Sequence, residues 1–100
     1  MNSTEQAYFD KFLRPKVLSG EYLDVRYEAL TLRLAPKTTY TPDFLVVTAD
    51  HLIELHECKG GFTRDDARVK WKVAAELYPF FTWRMIHMKG LSTIKKEEVR

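Results

Sequence analysis

The sequence holds a single cysteine, Cys58, in 100 residues. No internal disulfide can form, a four-cysteine zinc site is excluded, and the core must hold by burial alone, as in a reducing compartment. Long hydrophobic runs are missing as well. The longest, Phe44-Leu45-Val46-Val47, falls far short of the ~20 residues that span a bilayer. The N-terminus is polar and acidic with no apolar signal-like stretch, so neither membrane insertion nor export is expected, and a cytoplasmic location is. There is no repeat, low-complexity tract or linker, and the four glycines and four prolines are scattered as punctuation.

What is present fits one soluble domain spanning residues 1–100. Hydrophobic residues make up 45% and charged residues 30%, close to globular averages. The net charge of +2 hides an asymmetry, with the first fifty residues at −1 and the last fifty at +3. A basic C-terminal half permits a phosphate-bearing partner without demanding one.

Ser3 followed by Gln6 resembles a capping box, and Glu5, Phe9, Phe12 and Leu13 share one helical face, which predicts a first helix from about Thr4. Pro15 either ends it near Leu13 or kinks it before Ser19-Gly20 stops it. From Tyr22 the pattern alternates, but its parity changes near Glu28-Ala29, giving two strands or one bent strand. Tyr40 to Thr48 and Leu52 to Lys59 read as a hairpin joined at Ala49-Asp50-His51. Thr63 to Asp66 is a capping box for a second helix over about 64–78, which Pro79 must end. Thr82 to Met88 reads as a last strand. The residues after it, 91–100, are expected to be poorly ordered, above all the polar Lys95 to Arg100.

The hairpin brings chemistry together. With Asp50 as midpoint, residues whose numbers sum to 100 face one another, so Asp43 lies opposite Glu57. Alternation then puts Asp43, Leu45, Val47, Ile53, Leu55, Glu57 and Lys59 on one face, and Phe44, Val46, Glu54 and His56 on the other. Two carboxylates side by side repel, and one protonates unless a cation sits between them; Mg²⁺, which takes one or two carboxylates and keeps several waters, relieves this. Lys59 would stand beside the attacking water. Glu5 shares the apolar stripe of the first helix. If that helix packs on the acid face, Glu5 approaches the pair from above; the plainer alternative is a first-turn acid favoured by the helix dipole.

Pro42-Asp43, thirteen residues, then Glu57-Cys58-Lys59, behind a helix containing Glu5, resembles the PD-(D/E)XK nuclease superfamily, and within it the small stand-alone phage-type enzymes. Thr4-Glu5, Tyr40 to Phe44, Glu57 to Gly60 and Lys70-Trp71-Lys72 follow that group's order over about residues 4–87. The resemblance implies a restriction-endonuclease-like α/β fold with an αβββαβ core, its mixed central sheet flanked by helices. It also implies Asp43, Glu57 and the backbone carbonyl of Cys58 as metal ligands, Lys59 as the catalytic lysine and Glu5 as the helix-one acid. Pro15 departs from the family, whose first helix is longer.

On the second helix, Ala67, Trp71, Ala74, Leu77 and Tyr78 form an apolar stripe. Arg64, Arg68 and Lys72 recur every four residues and either track phosphates or form a solvated face paired with Asp65 and Glu76. Lys70 is read on the buried side with Val73 and Leu77, near the scissile phosphate. Cys58 reads as a small buried hydrophobe rather than a nucleophile, His51 and His87 as structural, and His56, on the face opposite the acids, is left unassigned.

The resulting expectation is a Mg²⁺-dependent endodeoxyribonuclease, with Mn²⁺ as a substitute and no organic cofactor. It would act on branched, flapped or nicked DNA, in the manner of a Holliday-junction resolvase in recombination or repair. A homodimer is expected, with contacts through Phe80-Phe81 or residues 22–34, in a bacterial host cell if the protein is phage-type. The alternatives are a nuclease subunit of a larger phage replication or packaging assembly, and a non-catalytic nucleic-acid-binding module on the same fold.

Overall fold

The computed structural model describes residues 1–61 and 65–100. Its first helix, α1 (Ser3–Tyr8), is capped one residue earlier than the Ser3/Gln6 pattern predicts. The Asn2 side chain accepts the Glu5 N–H at 2.8 Å, and the Glu5 carboxylate accepts the Asn2 N–H at 2.9 Å. Asn caps as well as Ser, and only this frame puts a glutamate at the reciprocating position. Pro15 does not end the helix. A π-helical turn, Phe9–Leu13, closes with the Arg14 N–H on the Phe9 carbonyl, and α2 (Arg14–Leu18) follows with Pro15 in its first turn. The wider turn accommodates the proline in a continuing helix, and Gly20, at φ +83°, then stops it.

Strand β1 (Tyr22–Tyr27) ends at Glu28, whose φ is 47°. Strands β2 (Leu32–Ala35) and β3 (Thr38–Tyr40) pair as a separate ribbon about a turn at Pro36-Lys37. The parity change therefore marks two strands. The run Tyr40 to Thr48 is likewise broken, since Thr41-Pro42-Asp43 separate β3 from β4 (Phe44–Thr48), and Pro42 has no N–H for a ladder. Strand β5 (Ile53–Gly60) pairs antiparallel with β4, Phe44 opposite His56 through Val47 opposite Ile53, in the register expected. Helix α3 (Asp65–Leu77) then leads to β6 (Thr82–Lys89), parallel to β5. A last strand, β7 (Thr93–Val99), runs antiparallel to β6, and the strand order of the main sheet is β1-β4-β5-β6-β7.

That last strand corrects the expectation of a poorly ordered 91–100. Trp83 and Arg100 exchange backbone hydrogen bonds at 2.8 and 2.9 Å, and Glu98 is held by Arg68 and His87. The charges that read as a solvated tail belong to an edge strand, where they discourage pairing with another sheet.

Two cores lie on the two faces. Phe44, Val46, Cys58, Ile86 and Met88 pack under Tyr8 and Leu13 of the N-terminal helices. Leu55, Trp83 and Met85 pack under Trp71, Ala74 and Ala75 of α3, with Leu30, Leu32, Leu34 and Tyr40 of the ribbon segment covering the rest. The first helix thus packs on the Phe44/Val46 face, not on the acid face. Val73 and Leu77 are exposed, so the buried stripe of α3 runs through Trp71, Ala74, Ala75 and half-buried Tyr78. The Thr63 to Asp66 capping box lies partly outside the described residues. Among the described residues, no helix is long and apolar enough to cross a membrane.

Candidate active site

Asp43 immediately precedes β4, one step beyond the Phe44/His56 pair, so continuing the register sets it against Glu57. Its backbone carbonyl accepts the Glu28 N–H at 2.8 Å, and its Oδ2 accepts the Cys58 N–H at 2.9 Å. The residue is anchored at both ends. Glu57 accepts the Tyr40 hydroxyl on Oε1 and the Lys59 ammonium on Oε2, the latter at 3.0 Å. Asp43 and Glu57 are both buried, 8% and 6% exposed, while Lys59 is half-buried.

Glu5 reaches these groups around the end of the sheet rather than from above it. The opening of α1 crosses the end of β5, where Thr4 lies against Gly60 so closely that a Cβ there would stand 2.9 Å from Thr4 Oγ1. Glu5 is itself buried and accepts the Tyr27 hydroxyl at 2.9 Å as well as the Asn2 N–H. Glu5 is thus an acid in the first turn of α1 that also completes its capping box, and this coexists with proximity to the acids, since Glu5 raises the pKa of both Asp43 and Lys59.

The electrostatics follow from that crowding. Burial, then the neighbouring Glu57 and Glu5, push the Asp43 carboxyl up to about 8, against the opposing pull of the Cys58 N–H. At neutral pH this crowding favours the protonated form of the Asp43 carboxyl. Burial alone would lower Lys59, but Glu57, Asp43 and Glu5 more than offset it and hold the ammonium charged. Burial and Glu57 push the Tyr40 phenol well above its usual range, so it donates to Glu57. The Cys58 thiol is pushed up to about 12, by burial first and then by Asp43. It stays a neutral thiol, in keeping with a buried hydrophobe and not a nucleophile.

The basic residues of α3 do not converge on this centre as a group. Arg68 forms a two-pronged ion pair with Glu98. Lys70 is exposed, not on the buried side, and donates to the Thr39 carbonyl of the ribbon at 3.3 Å. Lys72 is half-buried, and Arg64 lies outside the described residues. The sequence reading missed the roles of Tyr27 and Tyr40. The available signal was that a half-buried tyrosine hydroxyl needs a partner, and both find one in an acid of the site.

The opposite face of β5 carries a second polar cluster, beside a cavity of about 450 Å³. The Glu54 carboxylate accepts from His56 Nε2 at 2.8 Å and Arg84 Nε at 2.9 Å, and Tyr8 bonds His56 Nδ1 at 2.7 Å. Hydrogen bonds from His56 and Arg84 hold Glu54 down to about 2 despite its burial. Burial keeps His56 below its ordinary value, and its ring is held between Tyr8 and Glu54.

Among the described residues, no group of three or more His, Cys, Asp or Glu side chains is placed to hold one metal ion; Asp43 and Glu57 are a two-carboxylate set. No protein-family model matches the chain, and no curated protein or solved structure is significantly similar to it.

Proposed function

We propose that this protein is a Mg²⁺-dependent endonuclease of the PD-(D/E)XK type that hydrolyses DNA phosphodiester bonds, with Asp43, Glu57 and Lys59 as its active centre. One observation carries the reading. Two buried carboxylates stand side by side, Asp43 just before β4 and Glu57 on β5, burial and Glu57 push the Asp43 carboxyl up to about 8, and the Lys59 ammonium lies 3.0 Å from Glu57. Perturbed titration of this kind concentrates at functional sites. Topology lends support, since the N-terminal helices, antiparallel β1, β4 and β5, helix α3 and parallel β6 follow an αβββαβ order, with the ribbon and β7 as additions.

The donor set fits a hard divalent cation, whose ligands are oxygens and whose charge removes the repulsion that protonates Asp43. Asp43, Glu57 and the backbone carbonyl of Cys58 would hold Mg²⁺, or Mn²⁺ in its place. The bound ion would offset charge developing on the phosphoryl group and make an attacking water more acidic. Asp43 would serve as a ligand in its ionised form, its proton passing to solvent. Lys59 orients the water and donates to phosphate oxygens. Tyr40 fixes the rotamer of Glu57, and Glu5, steadied by Tyr27, is a positioning residue at the sheet end.

Branched, flapped or nicked DNA is the proposed substrate. A homodimer through exposed Phe80 and its neighbour Phe81 would supply two cutting sites. The test is incubation with plasmid and with synthetic four-way and flapped DNA, with and without Mg²⁺, alongside Asp43→Ala and Lys59→Ala. Cleavage that needs Mg²⁺ and both residues supports the enzyme. Binding without cleavage would instead mark a non-catalytic module.

A further inference from the structure

Beyond the acids, on the same side of the sheet, stand lysines that the proposed mechanism does not use. Lys59 pairs with His87 across β5 and β6, and His87 pairs with Lys96 across β6 and β7. Directly paired residues share a face, so these three form a row across three strands on the acid face. Lys89, two residues beyond His87, lies on that face too. The β6–β7 register shifts at this point: Met88 pairs with Ile94 and His87 with Lys96, which leaves Lys95 as a bulge. Bulges re-aim side chains, and here Lys95 joins Lys96, Lys89, His87 and Gly61 around a cavity of about 310 Å³.

The acids of β7 do not cancel this charge. Glu98 is engaged by Arg68 and His87, and Glu97 lines the cavity on the opposite face. Two of the three cations of α3 are committed differently, with Arg68 on Glu98 and Lys70 on the ribbon carbonyl of Thr39, which leaves Lys72 alone on that helix as a further contact. At about 4.8 Å per strand, β7 lies roughly 10 Å from β5, about three nucleotides at ~3.4 Å of rise each.

We infer that the nucleic-acid backbone leaves the acid pair along the β6–β7 edge, where Lys89, Lys95 and Lys96 bind its phosphates, and that α3 is not the main phosphate track. The inference rests on the nuclease reading for its substrate, but binding tests it separately from cleavage. The experiment is fluorescence anisotropy of a labelled DNA duplex titrated with protein in EDTA over a range of salt. It compares wild type, Lys89→Gln/Lys95→Gln/Lys96→Gln, the corresponding triple Lys→Arg variant, and Lys11→Gln/Arg14→Gln/Arg33→Gln as a charge-matched control.

At about 0.9 per contact in the log–log salt slope, losing the three contacts weakens binding on the order of 500-fold at 0.1 M salt and flattens the slope by about 2.7. The expected result is that loss in the Lys→Gln triple variant alone, with wild-type behaviour in the Lys→Arg triple and the control. Equal slopes in the Lys→Gln triple and wild type would overturn the inference. So would equal losses in the triple and the control, or wild-type binding to phosphatidylserine vesicles with none to DNA. Lysine-dependent binding without Mg²⁺-dependent cleavage would uphold the track and defeat the nuclease reading instead.

Discussion

Replacing Asp43 with asparagine should make the metal-free protein more stable while abolishing its activity. The folded carboxyl titrates at about 8 and its unfolded counterpart at 3.8. The folded state therefore keeps a proton that the unfolded state releases, and stability falls as pH rises from about 4 to about 8. Below that window both states are protonated and nothing is lost. At pH 7 some three pKa units of the window have been crossed, at 1.36 kcal/mol each, which puts the destabilisation at about 4 kcal/mol. Asparagine mimics the protonated acid: its carbonyl can still accept the Cys58 N–H and its amide can donate to Glu57. For a domain of this size each 1 kcal/mol moves Tm by ~4–8 °C, so the variant should melt roughly 10 °C or more above wild type. The assay is thermal melting by circular dichroism in EDTA from pH 4.5 to 8.5, with the gap between the proteins closing toward the acid end. Adding Mg²⁺ at ten times its Kd should raise wild-type stability by about 1.4 kcal/mol and leave the variant unmoved. A lower Tm for Asp43→Asn at pH 7.5, or a gap that ignores pH, would refute the electrostatic argument.

Tyr40→Phe removes the hydroxyl that fixes Glu57. A hydrogen bond to a charged group contributes ~1.5–3 kcal/mol, so single-turnover cleavage should slow ~10–100-fold while DNA affinity in EDTA is kept. Glu54, held at about 2 against an ordinary 4.5, contributes stability that is present above pH 4.5 and lost as pH falls toward 2. Glu54→Gln should cost about 3 kcal/mol at neutral pH and flatten the acid limb of the denaturation curve, read by circular dichroism. Gly60→Ala should destabilise by ~1–3 kcal/mol through the contact with Thr4 Oγ1. Adding Thr4→Ala should recover most of that loss in a double-mutant cycle by urea denaturation.

Much of the site was legible because the hairpin register depends on local features. Two β-rich runs about a short turn at residues 49–51 set the pairing, and the pairing sets Asp43 against Glu57. The end of α3 was legible for a similar reason, since Pro79 cannot continue it. Other features depended on which face an element packs against, and an apolar stripe does not specify that. The stripe of Phe9, Phe12 and Leu13 fits either face of the sheet, and Glu5 reaches the acids only because Gly60 lets α1 cross the strand end. The charges of 95–98 look the same in a solvated tail as on a sheet edge, and the ladder to β6 decides between them. The separate ribbon was hidden in an apparently continuous run through Pro42, and with it the position of Tyr40 over Glu57.

Strand β5 shows why burial of an acid does not by itself identify a site. Glu54 and Glu57 are three residues apart on opposite faces, and both are nearly removed from water. Glu54 has His56 and Arg84 as hydrogen-bond donors, and its carboxyl is held far below the usual range. Its charge stabilises the fold. Glu57 also has donors, Tyr40 and Lys59, but it faces a second acid, and Asp43 is pushed further above its ordinary range than Glu54 lies below its own. The repulsion around Asp43 remains in the folded chain because the Cys58 N–H and the surrounding core hold the carboxyl where it is. A cation bound as proposed would gain the energy that separating the acids would otherwise release. The same free energy that lowers the stability of the protein in EDTA would then favour occupancy of the proposed site, and it should disappear from both measurements together when Asp43 becomes asparagine.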